Sequence, residues 1–148
     1  MSQWTHVAGI IRVDGMGSLL GMTSPDEKQA IEKVIGKTTD FISSYEEYDE
    51  CTVPCGSEGS LQYKVDIHGG NSSLYRGAVT IWGDLRDYDN TNEIVSWFKK
   101  TLESFNISKE FPFGVRDAVI SIDVEDSPNK VICSWTGEKL IIKEVKND

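Results

Sequence analysis

A chain of 148 residues that is 39% hydrophobic and 26% charged fits one globular domain, and this composition excludes disordered and fibrous classes. The net charge of −9 repels phosphate backbones, which argues against general nucleic-acid binding. The longest apolar runs, such as Val7 to Ile11 and Leu140 to Ile142, are too short to cross a bilayer and no charged segment precedes an apolar leader, so a cytoplasmic protein is expected.

Trp4 to Val13 is rich in β-branched residues and apolar on both faces at Val7, Ala8, Ile10, Ile11 and Val13, which reads as a central strand. Ser24-Pro25-Asp26-Glu27 is a capping box with proline at the first helical position. Ala30, Ile31, Val34 and Ile35 follow at helical spacing, and Gly36 stops the helix. Residues 37 to 59 form a polar, acidic stretch, long for a loop in a compact domain.

Leu61, Tyr63, Val65 and Ile67 then alternate with polar residues, the period-two pattern of a strand with one wet face. The turn at 68 to 73 leads into a second strand, Tyr75 to Leu85, as its hairpin partner. Asn90 and Glu93 make another capping box, and Ile94, Trp97, Phe98, Leu102 and Phe105 line one helical face. Val115 to Val124 is a further strand, and Val131 to Trp135 with Leu140 to Val145 closes the chain as a hairpin. The order β-α-β-β-α-β plus a hairpin predicts one α+β domain over residues 1 to 148: a ferredoxin-like split βαβ sandwich with two helices on one sheet face.

No complete catalytic signature is present. Cys51, Cys55 and Cys133 are an odd set with neither histidine nearby, so no metal and no disulfide are expected. His6 and His68 adjoin no nucleophile, and the paired carboxylates Asp84 with Asp87 and Asp123 with Glu125 arise readily in so acidic a chain. Residues 76 to 82, Arg-Gly-Ala-Val-Thr-Ile-Trp, echo an RNA-binding strand only faintly. Ala78 and Thr80 stand where stacking aromatics belong, and Trp82 is assigned to the core. The expectation is a non-enzyme without cofactors.

Two stretches invite a binding role. Gly83-Asp-Leu-Arg-Asp-Tyr-Asp-Asn90 packs Arg86 among Asp84, Asp87 and Asp89 where a strand gives way to a helix N-terminus. Arg86 either pairs with its aspartate neighbours or presents a guanidinium fork to a phosphate, with Asp87 beside it and Tyr88 free to stack. Cys55-Gly-Ser-Glu-Gly-Ser-Leu-Gln-Tyr63 could turn backbone N–H groups toward a ligand, although it lacks the lysine and spacing of a P-loop and also reads as a plain turn. With Arg76, Asn71, Ser57, Ser60 and Tyr63, these residues form the candidate ligand-binding set. A second candidate surface is the anionic block from 38 to 63, carrying Asp40, Glu46, Glu47, Asp49, Glu50 and Glu58 without a lysine or arginine. In it Tyr45 and Tyr48 interleave with carboxylates as in an interface hot spot.

Trp4 to Asp14, Cys55 to Tyr63 and Gly83 to Asp89 together resemble small bacteriophage accessory proteins. The resemblance implies a counter-defence role in the cytoplasm of an infected bacterial host, by one of two routes. The first is sequestration of a small nucleotide immune signal without cleavage, similar to anti-Thoeris proteins, through Arg86, Asp87, Tyr88, Arg76, Asn71, Ser57, Ser60 and Tyr63. The second is an acidic, DNA-mimic-like inhibitor of a basic host protein, similar to anti-CRISPR proteins, through Tyr45, Glu46, Glu47, Tyr48, Asp49 and Glu50. An exposed strand edge in such a sandwich would also permit pairing between copies.

Overall fold

The computed structural model describes residues 2–15, 24–36, 38, 52–68, 75–107 and 114–147. Six strands and two helices are described: β1 (Trp4–Gly15), α1 (Ser24–Ile35), β2 (Gln62–His68), β3 (Tyr75–Arg86), α2 (Thr91–Ile107), β4 (Val115–Val124), β5 (Asn129–Trp135) and β6 (Leu140–Lys146). They follow the order and, within two residues, the bounds that periodicity predicts. The strands form one open sheet in the order β2-β3-β1-β4-β5-β6, each antiparallel to its neighbours.

Alternation along the strands divides the sheet into two unlike faces. Val7, Ile11 and Val13 of β1, Val79, Ile81 and Leu85 of β3, and Ala118, Ile120 and Ile122 of β4 point inward and are buried. They meet Ile31 and Ile35 of α1 and Ile94, Phe98, Leu102 and Phe105 of α2 in a single core. The second capping box forms as its spacing requires: the Glu93 amide donates to Asn90 Oδ1 at 3.2 Å, which fixes where α2 begins.

The opposite face corrects two expectations. β1 does lie centrally, between β3 and β4, yet its second apolar face is not covered by the described residues: Ala8 is exposed and Ile10 is 37% exposed. Trp82, assigned to the core from its sequence, is 46% exposed on this same face. The cause is parity, since Ile81 and Leu85 point inward and Trp82 lies between them in β3.

Candidate functional site

Local backbone geometry builds the lower end of the sheet, where β1 starts and β3 and β4 finish. Residues 55 to 60 form a tight turn closed by a bridge between Cys55 and Ser60 and by Gly56 N donating to Gly59 O at 2.9 Å. This turn lies against the last residues of β3: Ser57 N donates to Arg86 O at 2.8 Å and Arg86 N donates to Glu58 O at 3.1 Å. A side chain at Gly56 would put a Cβ 2.4 Å from the Arg86 carbonyl oxygen, and Gly59 holds a positive φ of 80°. The two glycines therefore serve close backbone approach and a left-handed turn residue. The amides of Gly56 and Ser57 are consumed by the chain itself, which corrects the expectation that they face a ligand.

The side chains of this region are likewise engaged with one another. Arg86 Nη1 donates to Glu58 Oε1 at 2.5 Å, Arg86 Nε donates to Ser2 Oγ at 2.9 Å, and the Asp87 carboxylate lies 3.8 Å from that same nitrogen. Asp87, at a φ of 52°, accepts from Ser57 Oγ at 2.9 Å, and its amide donates to Gln3 O at 2.6 Å. Of the two readings of the Arg-Asp knot, the geometry is that of the intramolecular clamp.

Tyr88 corrects the stacking role. It is 8% exposed within the core, and its backbone carbonyl accepts from the Thr5 hydroxyl. Its phenol has no partner in hydrogen-bond geometry among the described residues; burial, then the nearby charge of Glu93, raises its pKa. Ser60 is 2% exposed, donating to Leu61 O and accepting from Gln62 Nε2, so it too faces no ligand.

The remaining candidates are dispersed. Arg76 pairs in register with His68 and Asp14 ten residues along β3 from Arg86, on the order of 33 Å away at an ordinary strand rise. Tyr63 points to the helix side, where its hydroxyl donates to Gly36 O at 2.7 Å and caps the end of α1. Burial and the charge of Glu32 raise its pKa. Together with Gln29, Glu32, Lys33, Gly36, Thr38 and Thr52, it lines a cleft of about 540 Å³. Asn71, and the block Tyr45, Glu46, Glu47, Tyr48, Asp49 and Glu50, lie outside the described residues.

One arrangement escaped the sequence. His6 Nδ1 lies 2.5 Å from Asp84 Oδ1, and His6 Nε2 lies 3.2 Å from Glu125 Oε1. Each carboxylate is best served by an N–H donor, so the pair favours the imidazolium. The His6 pKa is accordingly raised, first by the bond to Asp84, with partial burial opposing and Glu125 assisting. The sheet assembles this trio from residues remote in sequence: the register sets Asp84 of β3 opposite His6, and Glu125, just past β4, is held beside β1 by its amide donating to Trp4 O at 2.9 Å.

The loops at this end collect Glu58, Asp84, Asp87, Asp89, Glu93, Asp123, Glu125 and Asp126, all at least partly accessible. Two cations among them, Arg86 and His6, are already bonded to members of the set. The surface that was read as a phosphate fork thus presents excess negative charge. Among the described residues, no group of three or more His, Cys, Asp or Glu side chains is arranged to hold a metal, and no helix is long and apolar enough to cross a membrane. Comparison with protein-family models, curated proteins and solved structures gave no match.

Proposed function

We propose that this chain is a non-catalytic inhibitor that engages a basic protein through the acidic loop end of its sheet, acting as a counter-defence factor in the cytoplasm of an infected bacterium. The single observation that carries this reading is the convergence of Glu58, Asp84, Asp87, Asp89, Glu93, Asp123, Glu125 and Asp126 around two cations that they already neutralise. An incoming phosphate would meet like charge and an occupied guanidinium. A basic nucleic-acid groove would meet a cluster of carboxylates at one sheet end, with the sign of charge that a duplex backbone offers. The scaffold is read as a ferredoxin-like sandwich extended by a hairpin. Supporting this are the partial order β2-β3-β1-β4 with every neighbour antiparallel and the placement of α1 and α2 in the β1–β2 and β3–β4 connections.

The test is displacement of a labelled DNA duplex from a panel of basic DNA-binding proteins. The chain should displace DNA at about 50 mM salt and lose this ability several-fold by about 200 mM. Combining Asp87→Asn, Asp89→Lys and Asp126→Asn preserves residue types that tolerate the left-handed positions 87 and 126, and should weaken displacement by roughly tenfold. Sequestration of a nucleotide is the second reading, favoured by the Tyr63 cleft, whose volume suits a small ligand and whose wall includes Lys33. Failure of displacement, with recovery of an intact nucleotide after heating the loaded protein, would reverse the ranking.

A further inference from the structure

The uncovered face of the sheet carries its own pattern. Ile10 and Val119 stand opposite each other at the centre of β1 and β4, 37% and 40% exposed, with Trp82 on β3 and Ile132 on β5 flanking them one row away. Arg12 and Asp117 pair across β1 and β4 on one side of this apolar centre, and Asp84, His6 and Asp123 lie in line on the other. The other central members of this face, Ala8, Thr80, Ser121 and Ser134, are small.

We propose that a second copy of this chain covers this face, related by a twofold axis that runs parallel to the strands between β1 and β4. That operation lays β4 of one copy over β1 of the other, and β5 over β3, with each row of side chains over the same row. Ile10 then meets the partner's Val119, and Trp82 meets the partner's Ile132. Arg12 meets the partner's Asp117, His6 the partner's Asp123, and Asp84 the partner's Lys130. Over the four central strands, these apolar groups face apolar groups and these charges face opposite charges; at the margin, where β6 lies over β2, Lys64 falls beside the partner's Ile141.

The other twofold that stacks these faces, with its axis across the strands, inverts the rows. It would bring His6 onto the partner's Arg12 and Asp123 onto the partner's Asp117, setting like charges together. Charge complementarity therefore selects the first axis. Aligned sheets pack with a twist of about −30°, which displaces the outer strands and leaves pairs near the axis in register. Six strands at about 4.8 Å spacing and about six residues at 3.3 Å rise give a face of roughly 500 Å² in projection. The relief of its side chains brings the accessible area toward the roughly 800 Å² per partner of a stable interface. Pairing through an exposed strand edge is the expectation from the sequence; at the β6 edge it is less suited, because exposed Lys143, Glu144 and Lys146 line that strand.

The inference stands apart from the acidic-end reading and is tested without any partner protein, by sedimentation equilibrium from about 1 to 100 μM. The wild-type chain should sediment as a dimer. Val119→Glu, at an exposed position, should be a folded monomer whose melting temperature no longer rises with protein concentration. Asp84→Lys and Lys130→Glu should each weaken association by roughly tenfold, since each places like charges across the axis. The two single variants, mixed, should form a heterodimer in which both contacts are again complementary, and the double variant should recover wild-type association. A monomeric wild type overturns the proposal. So does a dimer that survives Val119→Glu, which would mean pairing elsewhere, or a mixture no tighter than its components.

Discussion

Replacing Gly56 by alanine would place a methyl group 2.4 Å from the carbonyl oxygen and 2.6 Å from the amide nitrogen of Arg86. Both are backbone atoms fixed by neighbouring ladder bonds, so no side-chain rotation relieves the clash. Separation of the 55–60 turn from β3 would relieve it, but it would break the bonds from Ser57 N to Arg86 O at 2.8 Å and from Arg86 N to Glu58 O at 3.1 Å. Two such bonds at about 1 kcal/mol each, with an overpacking cost of about 1–3 kcal/mol, give a loss of roughly 3–5 kcal/mol. For a chain of this size that lowers Tm by on the order of 10 °C in differential scanning calorimetry. Gly137→Ala is the control: its φ is 107° with open space around the added carbon, so only conformational strain of about 1–2 kcal/mol applies. If Gly56→Ala melts as high as Gly137→Ala, the turn is not seated on β3 and its amides are free for a ligand.

Other expectations follow from the same geometry. Tyr88→Phe removes a buried hydroxyl with no bonded partner among the described residues, so thermal stability should hold or rise by up to about 1 kcal/mol. A fall of more than about 2 kcal/mol would reveal a bond to Glu93. His6, monitored by the NMR shifts of its ring protons, should titrate above its ordinary 6.5, and Asp84→Asn should lower the midpoint more than Glu125→Gln. Because the folded value is the higher one, the stability from His6 is present below about pH 6.5 and fades as pH rises through the folded midpoint. Its exposure keeps this contribution small, so the test is the order of the two midpoints. Arg86→Ala removes one positive charge from −9, giving −10. It should cost no more than about 1 kcal/mol of stability, since the Arg86–Glu58 pair is largely accessible, and should strengthen capture of a basic protein. Loss of nucleotide retention instead would favour sequestration.

The helices and strands were legible because their signals are local. The Asn90 to Glu93 spacing sets the start of α2, and the alternation of Leu61, Tyr63, Val65 and Ile67 identifies β2. The exposure of Trp82 and Ile10 was not legible, because periodicity reports that a residue has a face and not whether anything covers it. β1 reads as apolar on both sides whether its second side meets helices, a partner or water. The Arg86 knot was legible as a cluster, yet its outcome depends on Glu58 and Ser2, which contiguity could not pair with it. His6 was passed over for the same reason, since its partners Asp84 and Glu125 come from two other strand ends.

The acidic loop end and the uncovered face impose opposite demands. The axis parallel to the strands leaves like ends together, so a dimer carries both sets of carboxylates at one pole. Stacked sheets lie about 10 Å apart, close to the Debye length at about 0.1 M salt, so the repulsion between poles is screened near physiological ionic strength and grows below it. The apolar contacts of Ile10, Val119 and Trp82 are not weakened by such screening. Screening weakens the attractive pairs across the axis as well as this repulsion, so dimerisation should change much less from about 20 to 200 mM salt than capture of a basic protein does. A shared slope would mean that both behaviours come from the same carboxylates, and Asp84 and Asp123, the two carboxylates assigned to both surfaces, would be the first to substitute.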